Sequence, residues 1–412
     1  MQNKLPNNWQ IKTLGEVCET TSGGTPSRGN KSYYNGTIPW VKSGELNKGI
    51  IYDTEEKITE EAIKNSSAKI FPKGTLLIAL YGATIGKLAF LGVDAATNQA
   101  VCGIYQNEAI ESKYLYNFLF HKKQDLVNQG IGGAQPNISQ TILKKLEFPL
   151  PPLETQQAIV SKLEELFSEL DKGIEDLKTA QLQLKTYRQS VLKWAFKGKL
   201  TNENVKDGEL PKGWKILNID QIGKIKGGKR LPKGHYYSEE PTDYVYIMAG
   251  NLKDGTVKNK STFLNKETYD ALANYKVIGG EVYITIVGAC IGDAGIIPDN
   301  IGKSILTENA AKIIELKNTY NKYLALWINS TICQSNIKRK ILSATLGKLA
   351  LNRIGTLEIP LAPLEEQHQI VQEIESRLSV ADKMEESIAQ SLQQAEALRQ
   401  SILKKAFSGE LV

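Results

Sequence analysis

Pro149-Leu150-Pro151-Pro152-Leu153-Glu154-Thr155-Gln156 is written again 211 residues later as Pro360-Leu361-Ala362-Pro363-Leu364-Glu365-Glu366-Gln367. Pro152 and Pro363 suit a helix start, where a missing N–H costs nothing. Glu154 and Glu365 then fall in a first turn and Lys193, Lys404 and Lys405 in a last turn, as the helix dipole favours. Gly198 and Gly409 stand where a C-terminal stop is expected. Each stretch therefore predicts one long helix.

The duplication extends outward in both directions. Leu5-Pro6-Asn7-Asn8-Trp9 returns as Leu210-Pro211-Lys212-Gly213-Trp214, and Gly82-Ala83-Thr84-Ile85-Gly86 as Gly288-Ala289-Cys290-Ile291-Gly292. Thr97-Asn98-Gln99-Ala100 returns as Thr307-Glu308-Asn309-Ala310, and Ser190-Val191-Leu192-Lys193 as Ser401-Ile402-Leu403-Lys404. The offset drifts from 205 to 211, as a few residues inserted in surface loops would produce. A period this long means two copies of a domain-plus-helix unit. Before each helix come short β-type runs bounded by glycines, such as Thr75 to Tyr81 and Val282 to Val287, and a shorter helical patch, Lys113 to Lys123 or Lys322 to Asn329.

Leu163, Leu170, Leu177, Leu184 and Val191 repeat every seven residues, interleaved with Ile159, Leu166, Gly173, Ala180, Tyr187 and Trp194. The second helix aligns Ile374, Ala381, Ile388, Ala395 and Ile402, with Ile370, Met384 and Leu398 interleaved and polar Arg377 and Ser391 interrupting. Small alanines facing leucines fit two unlike helices of one chain packed antiparallel; a helix lying on its own domain and a homodimer zipper are the alternatives. The expected class is α+β, with two globular domains separated by two long antiparallel coiled-coil helices and related by an internal pseudo-twofold. The boundaries read 1–152 for the first domain, 153–200 for its helix, 201–209 for a linker, 210–363 for the second domain and 364–412 for the last helix. A pseudo-twofold should bring the two chain ends together.

Bulk properties narrow the function. With 41% hydrophobic residues, 412 residues suit a folded chain of two or three domains. Met1 to Gln10 is polar and contains Pro6, unlike a signal peptide, and no apolar run approaches the ~18 residues that span a bilayer. A cytoplasmic location is expected. Cys18, Cys102, Cys290 and Cys333 form no CxxC pair, and the three histidines are scattered, which argues against a metal site or a disulfide scaffold. Residues 154–196 and 365–407 together carry −4, so the rest of a chain of net +6 carries +10. That excess suits either a polyanion or simple solubility.

No enzyme motif stands up. Gly82 to Leu88 resembles a phosphate loop, but it has three residues between its glycines, Leu88 replaces the Ser/Thr, and Asp293 takes the place of Lys87 in the second copy. Asp94 with Glu111 and Lys113 mimics a nuclease pattern of which the second copy keeps only Lys322. A binder of DNA needs cations for phosphates, and amides, guanidiniums and hydroxyls for base edges. The loops 21–34 and 226–237 offer Thr25, Arg28, Lys31 and Tyr33 in one copy and Lys229, Arg230, Lys233 and Tyr236 in the other. Their glycines would let backbone amides approach a phosphate; plain solvated turns are the other reading. Stretches 129–137 and 346–353 add Gln135, Asn137, Lys348 and Arg353, and Lys42, Lys87 and Asn251 complete the candidates. Asn98, Gln99 and Asn309 read either as further groove contacts or as buried amides that satisfy turns. Scaffold motifs match between copies while loop chemistry differs, which predicts two different short sequences read by one molecule.

The paired Leu-Pro-x-x-Trp openings, the segment Tyr81 to Lys87, the two proline arms and the helix ends SVLKWAFKGKL and SILKKAFSGELV resemble the specificity subunit of Type I restriction–modification enzymes over essentially the whole chain. The second copy departs from the pattern at Val287 and Asp293, so those positions need not serve one role twice. The resemblance implies a non-catalytic subunit whose target-recognition domains each read a half-site of double-stranded DNA, giving a bipartite asymmetric target with an unspecified spacer. It implies helices that act as ruler and dock two adenine methyltransferase subunits, joined by ATP-dependent restriction subunits. S-adenosylmethionine, ATP and Mg are then expected on those partners, with no cofactor here and self-association open when partners are absent. A coiled-coil adaptor for proteins and an enzyme acting on nucleic acid or sugar are the rival classes.

Overall fold

Duplicated sequence becomes duplicated structure in the computed structural model, which describes residues 5–47, 49–130, 137–202, 204–206, 208–342 and 347–412. The chain divides into two units: Met1–Leu177 with Gln390–Val412, and Lys178–Ala389. The long helices are Leu153–Ala195 and Leu364–Ser408, beginning directly after Pro152 and Pro363 as the arms predict. The helical patches are Ser112–His121, followed by Lys123–Gln129, and Asn321–Ile328, followed by Thr331–Leu342.

In the first unit a five-stranded sheet runs in the order Thr20–Ser22, Val101–Ile104, Leu76–Ala79, Leu88–Leu91, Ile50–Ile51. A four-stranded sheet is built around Tyr34–Val41, whose Trp40 and Val41 pair in parallel with Ala96 and Thr97. The second unit has the matching sheet Lys224–Gly227, Ala310–Ile314, Val282–Thr285, Ala294–Ile296 and a second sheet built around Tyr244–Ile247. The runs Leu76–Ala79 and Val282–Thr285 are buried along their whole length, which explains why they read as continuous apolar stretches rather than alternating ones.

The arms are fastened by one device used twice. Gln156 is fully buried; its Nε2 donates to the Ala109 and Pro151 carbonyls and its Oε1 accepts from the Glu111 N–H. Gln367, equally buried, donates to Asn318 and Ala362 and accepts from the Tyr320 N–H. A buried amide with all these groups bonded is favourable, and stripping its partners would be costly. Tyr114 and Tyr323 donate their hydroxyls to the carbonyls of Pro149 and Pro360, at 2.9 and 2.5 Å, on the strands that lead into the helices.

The far ends of the helices complete the domain cores. In the first unit Phe407 lies 5.2 Å from Tyr114, 5.5 Å from Phe118 and 5.7 Å from His121 between ring centroids, with Ile402, Leu403 and Ala406 in the same core. In the second unit Phe196 lies 5.1 Å from both Tyr323 and Trp327, among Val191, Leu192 and Ala195. Phe196 and Phe407 occupy the same place in the repeat. A Cβ on Gly409, in the left-handed region at φ +76°, would stand 2.5 Å from Pro6, so the end of the last helix and the Leu5–Trp9 opening do meet, as a pseudo-twofold requires.

Within each unit the helical segments run antiparallel. Arg399 stacks 4.7 Å over Phe167 and bonds Asp171 in the first unit, where Leu163 shares a core with Ile402 and Phe407. Arg188 bonds Asp382 at 2.6 Å and Glu385 at 2.9 Å in the second. Arg188 and Asp171 stand 211 residues before Arg399 and Asp382, so the same ion pair is made in both units. The principal heptad positions are shielded: Leu163, Leu184, Val191, Ile374, Ala381, Ile388 and Ile402 are buried, and Leu170, Leu177 and Ala395 partly so.

Of the interleaved positions, Ile159 and Ile370 are buried and Leu166 and Ala180 partly so, as expected, but the others differ. Gly173, Tyr187, Trp194, Met384 and Leu398 are exposed, and Ile174, Arg188, Ala195, Leu378 and Arg399 face inward instead. At those points the inward row is displaced by one residue, and Arg188 and Arg399 within it make the ion pairs between the segments. A charged side chain can line such a seam through its aliphatic stem.

Replacing Phe407 with Ala is expected to destabilise the first unit by about 3 kcal/mol, as for other buried aromatic truncations, and a fall in thermal midpoint with early exchange of amides 402–407 would register it. His121 gives a pH dependence. Burial and the nearby Lys122 and Lys404 hold its imidazole below the ordinary range, outweighing Asp125. Protonation therefore favours the undocked end, so docking should be at full strength above about pH 6.5 and weaken as the pH falls through the lowered value. Amide exchange at 402–407 followed from pH 7.5 to 5 should show this, and H121F should flatten the profile.

Candidate nucleic-acid interface

The DNA-contact candidates of the first unit gather where several strands end together. Gly23 N–H donates to the Val101 carbonyl and Gly24 N–H to that of Thr97, carrying the Thr25 loop to the turn 97–100. Leu80 N–H donates to Ala100, Ile138 N–H donates to Leu80, and Tyr81 forms a β-bridge with Asn137. Thr25 hydroxyl donates to the side-chain amide oxygen of Gln99 across the edge. The second unit is wired alike: Gly228 N–H to Ala310, Lys229 N–H to Leu306, Ile286 N–H to Asn309 and Leu349 N–H to Ile286. Residues far apart in sequence thus line one edge because four strand ends and a returning segment share backbone hydrogen bonds there.

Gly23, Gly24 and Gly228 of the loops serve that convergence, their N–H groups bonding the Val101, Thr97 and Ala310 carbonyls. A Cβ on Gly23 would stand 2.0 Å from the Thr97 hydroxyl, and one on Gly228 would stand 2.0 Å from the Thr307 carbonyl. Gly82 and Gly86, with Gly288 and Gly292, adopt positive φ in a tight turn between strands. The apparent phosphate loop is this turn, with Gly82–Thr84 forming one 3-10 turn.

The candidates separate into three groups. Thr25, Asn137, Lys229, Arg230 and Lys348 come together at their edges as expected, and Lys87 lies half-buried at the turn that leads away from it. Lys31, Lys233 and Tyr236 are exposed on the flanking loops, Tyr236 at 76%. The others are committed internally. Arg28 bonds Glu56 at 2.6 Å and stacks over Tyr34 and Trp40 at 4.7 and 5.0 Å. Lys42 reaches Glu55 and Glu56 at 3.0 and 3.1 Å, and the guanidinium beside it holds the Glu56 carboxyl below the usual range. Tyr33 packs against the small core of Trp40 and Ile58. Asn251 is 8% exposed; its Oδ1 accepts from Met248 N–H and its Nδ2 donates to the Asn259 carbonyl, so it closes a turn. Arg353 bonds the Lys340 carbonyl. Gln135 lies outside the described residues.

Of the other residues at the edges, Asn98 and Gln99 read from the sequence either as groove contacts or as buried amides, and Tyr81 was not among the candidates. Tyr81 is exposed and Gln99 is exposed, while the Asn98 Oδ1 is buried without a partner among the described residues. Glu308, at the place of Gln99 in the backbone wiring, accepts from Tyr246 hydroxyl at 3.1 Å and lies 3.6 Å from Arg230. The conspicuous signal was the duplicated Thr-x-x-Ala turn itself, whose two middle residues differ between copies.

Among the described residues no group of His, Cys, Asp and Glu is placed to hold a metal, and no helix is long and apolar enough to cross a membrane.

Comparison with known proteins agrees with this geometry. The model of the Type I restriction modification DNA specificity domain matches twice, over residues 6–179 and 211–394. A Type I restriction enzyme MjaIX specificity subunit from Methanocaldococcus jannaschii is 28% identical, with 99% of this chain and 94% of that one covered. The EcoBI specificity subunit of Escherichia coli is 29% identical over 77% of this chain and 69% of its own. A solved chain described under complex assembly and conformational transition of the type I R-M system superposes with TM-score 0.77 at 20% identity, covering 99% of both chains. The HsdS subunit from Thermoanaerobacter tengcongensis gives 0.61 at 21% identity over 99% of both. With two copies of the domain matched over most of the chain and a shared fold, the chain belongs to the Type I restriction–modification DNA specificity family, the non-catalytic DNA-recognition component of such complexes.

Proposed function

We propose that the chain reads a bipartite, asymmetric DNA target and brings an adenine methyltransferase and ATP-dependent restriction subunits to it. The observation that carries this reading is the pair of edges built by the same backbone hydrogen bonds and dressed with different side chains. One offers Thr25, Gln99, Tyr81 and Asn137, the other Lys229, Arg230, Glu308 and Lys348. Identical scaffolds place these groups alike, while amides, carboxylates and guanidiniums select different base edges. Two half-sites of unlike sequence follow.

On this reading the helix pair sets the spacing. Helices of 43 and 45 residues extend about 65 Å at ~1.5 Å per residue, a length suited to holding two readers on successive turns of one duplex, ~34–36 Å each. Exposed Tyr187, Trp194, Val380 and Met384 on the helices of the second unit give apolar purchase for a protein subunit. S-adenosylmethionine, ATP and Mg would belong to the partners, and the duplex, two methyltransferase subunits and the restriction subunits would complete the complex.

Exchanging residues 10–148 for the equivalent domain of another family member should alter one half of the methylated sequence and leave the other intact; changes in both halves would refute independent reading. Inserting four residues at matching points of both helices should lengthen the spacer by about 6 Å, roughly 2 bp. Long-read methylation maps read both outcomes, and an unchanged spacer would refute the ruler.

A further inference from the structure

The two edges share their wiring but not their electrostatics. Residues 210–363 carry 21 Lys and Arg against 13 Asp and Glu, net +8, while residues 1–152 carry 16 against 13, net +3. What the cations touch widens this gap. In the first unit the guanidinium of Arg28 is closed by Glu56 and two aromatic rings, and Lys42 is shared between Glu55 and Glu56. Lys31 remains exposed, and Lys87 is half-buried.

In the second unit the carboxylates pair elsewhere. Lys312 takes Glu281 in the interior, and Lys224, Lys258, Lys266 and Lys322 take Glu315, Asp254, Asp270 and Glu375. Lys229, Lys233 and Lys348 are exposed and form no salt bridge among the described residues. Arg230, 77% exposed along its side chain, stands at a loose 3.6 Å from Glu308. Lys229 N–H bonds the Leu306 carbonyl and Leu349, next to Lys348, bonds that of Ile286, so these lysines stand at one edge with Lys233 on its adjoining loop.

We propose that the two recognition domains grip DNA by unequal means: the second chiefly through phosphate contacts from Lys229, Lys233 and Lys348, the first chiefly through uncharged groups, with Arg28 and Lys42 held back by Glu55 and Glu56 and Lys31 left as its exposed loop cation. The inference rests on the DNA-reading function above and names how each half of that site is held. Released counterions make each phosphate contact visible as a fixed increment of salt dependence. The second domain therefore supplies the long-range attraction that steers the duplex in. The first adds short-range selection.

The test is duplex binding by the full chain with its methyltransferase subunit, from 50 to 300 mM salt, on DNA carrying the mapped target. K229Q/K233Q/K348Q should lower the slope of log K against log salt by about 2 to 3, near 0.9 per contact. R28Q/K42Q/E55Q/E56Q, which removes two cations and two anions together, should shift it by less than about 0.5, since those cations make no phosphate contact to lose. Thermal midpoints of both variants report whether the fold is intact, and single variants of the same exposed lysines serve if the triple one is impaired. A slope unaffected by the lysine changes, or one lowered equally by both variants, overturns the unequal grip while leaving DNA reading in place. Absence of salt-dependent binding by the unaltered complex overturns the reading itself, and this inference with it.

Discussion

Each recognition domain is finished by an aromatic side chain that its own strands do not supply. Phe407 closes the core around Tyr114 and Phe118, and Phe196 closes the core around Tyr323 and Trp327. A mixed domain of about 150 residues with short strands buries limited area unaided, and the last turn of a long helix completes it. The requirement dictates much of what surrounds it. The helix must end there, which Gly198 and Gly409 allow, while the buried Gln156 and Gln367 and the tyrosine hydroxyls fasten to each domain the start of the other helix.

The helical segments add register rather than much stability. Exposed ion pairs contribute little individually, yet Arg188 with Asp382 and Arg399 with Asp171 take the same repeat positions in the two units. Each arginine lies along the seam with its stem packed and its head reaching an acid on the partnering segment. A strictly apolar seam would permit sliding by a heptad; a guanidinium seated on particular carboxylates does not.

Evolution of specificity on such a scaffold needs only the side chains at the edge to change. The backbone wiring of the turns 98–101 and 307–310 is alike although Asn98 and Gln99 give way to Thr307 and Glu308. Cations that look equivalent in a list of residues differ physically according to whether a carboxylate is within reach. Arg28 and Lys42 illustrate one case, Lys229 and Lys348 the other.

Repeats, arms, long helices and the class of the domains were legible from the sequence alone, because they depend on proline and glycine placement and on apolar spacing, which are local. The principal heptad row was legible for the same reason. Its neighbours Gly173, Tyr187, Trp194, Met384 and Leu398 were not, since the rotation of a helix about its axis is settled by what it packs against. The candidate site was legible in part: loops were identified, and Thr25, Asn137, Lys229, Arg230 and Lys348 lie at the edges. Only tertiary structure decided that Asn251 closes a turn, that Arg28 and Lys42 are spent on Glu55 and Glu56, and that Gln99 stands beside Thr25. Those outcomes hinge on residues tens of positions away whose hydrogen bonds exist only once the strands have met.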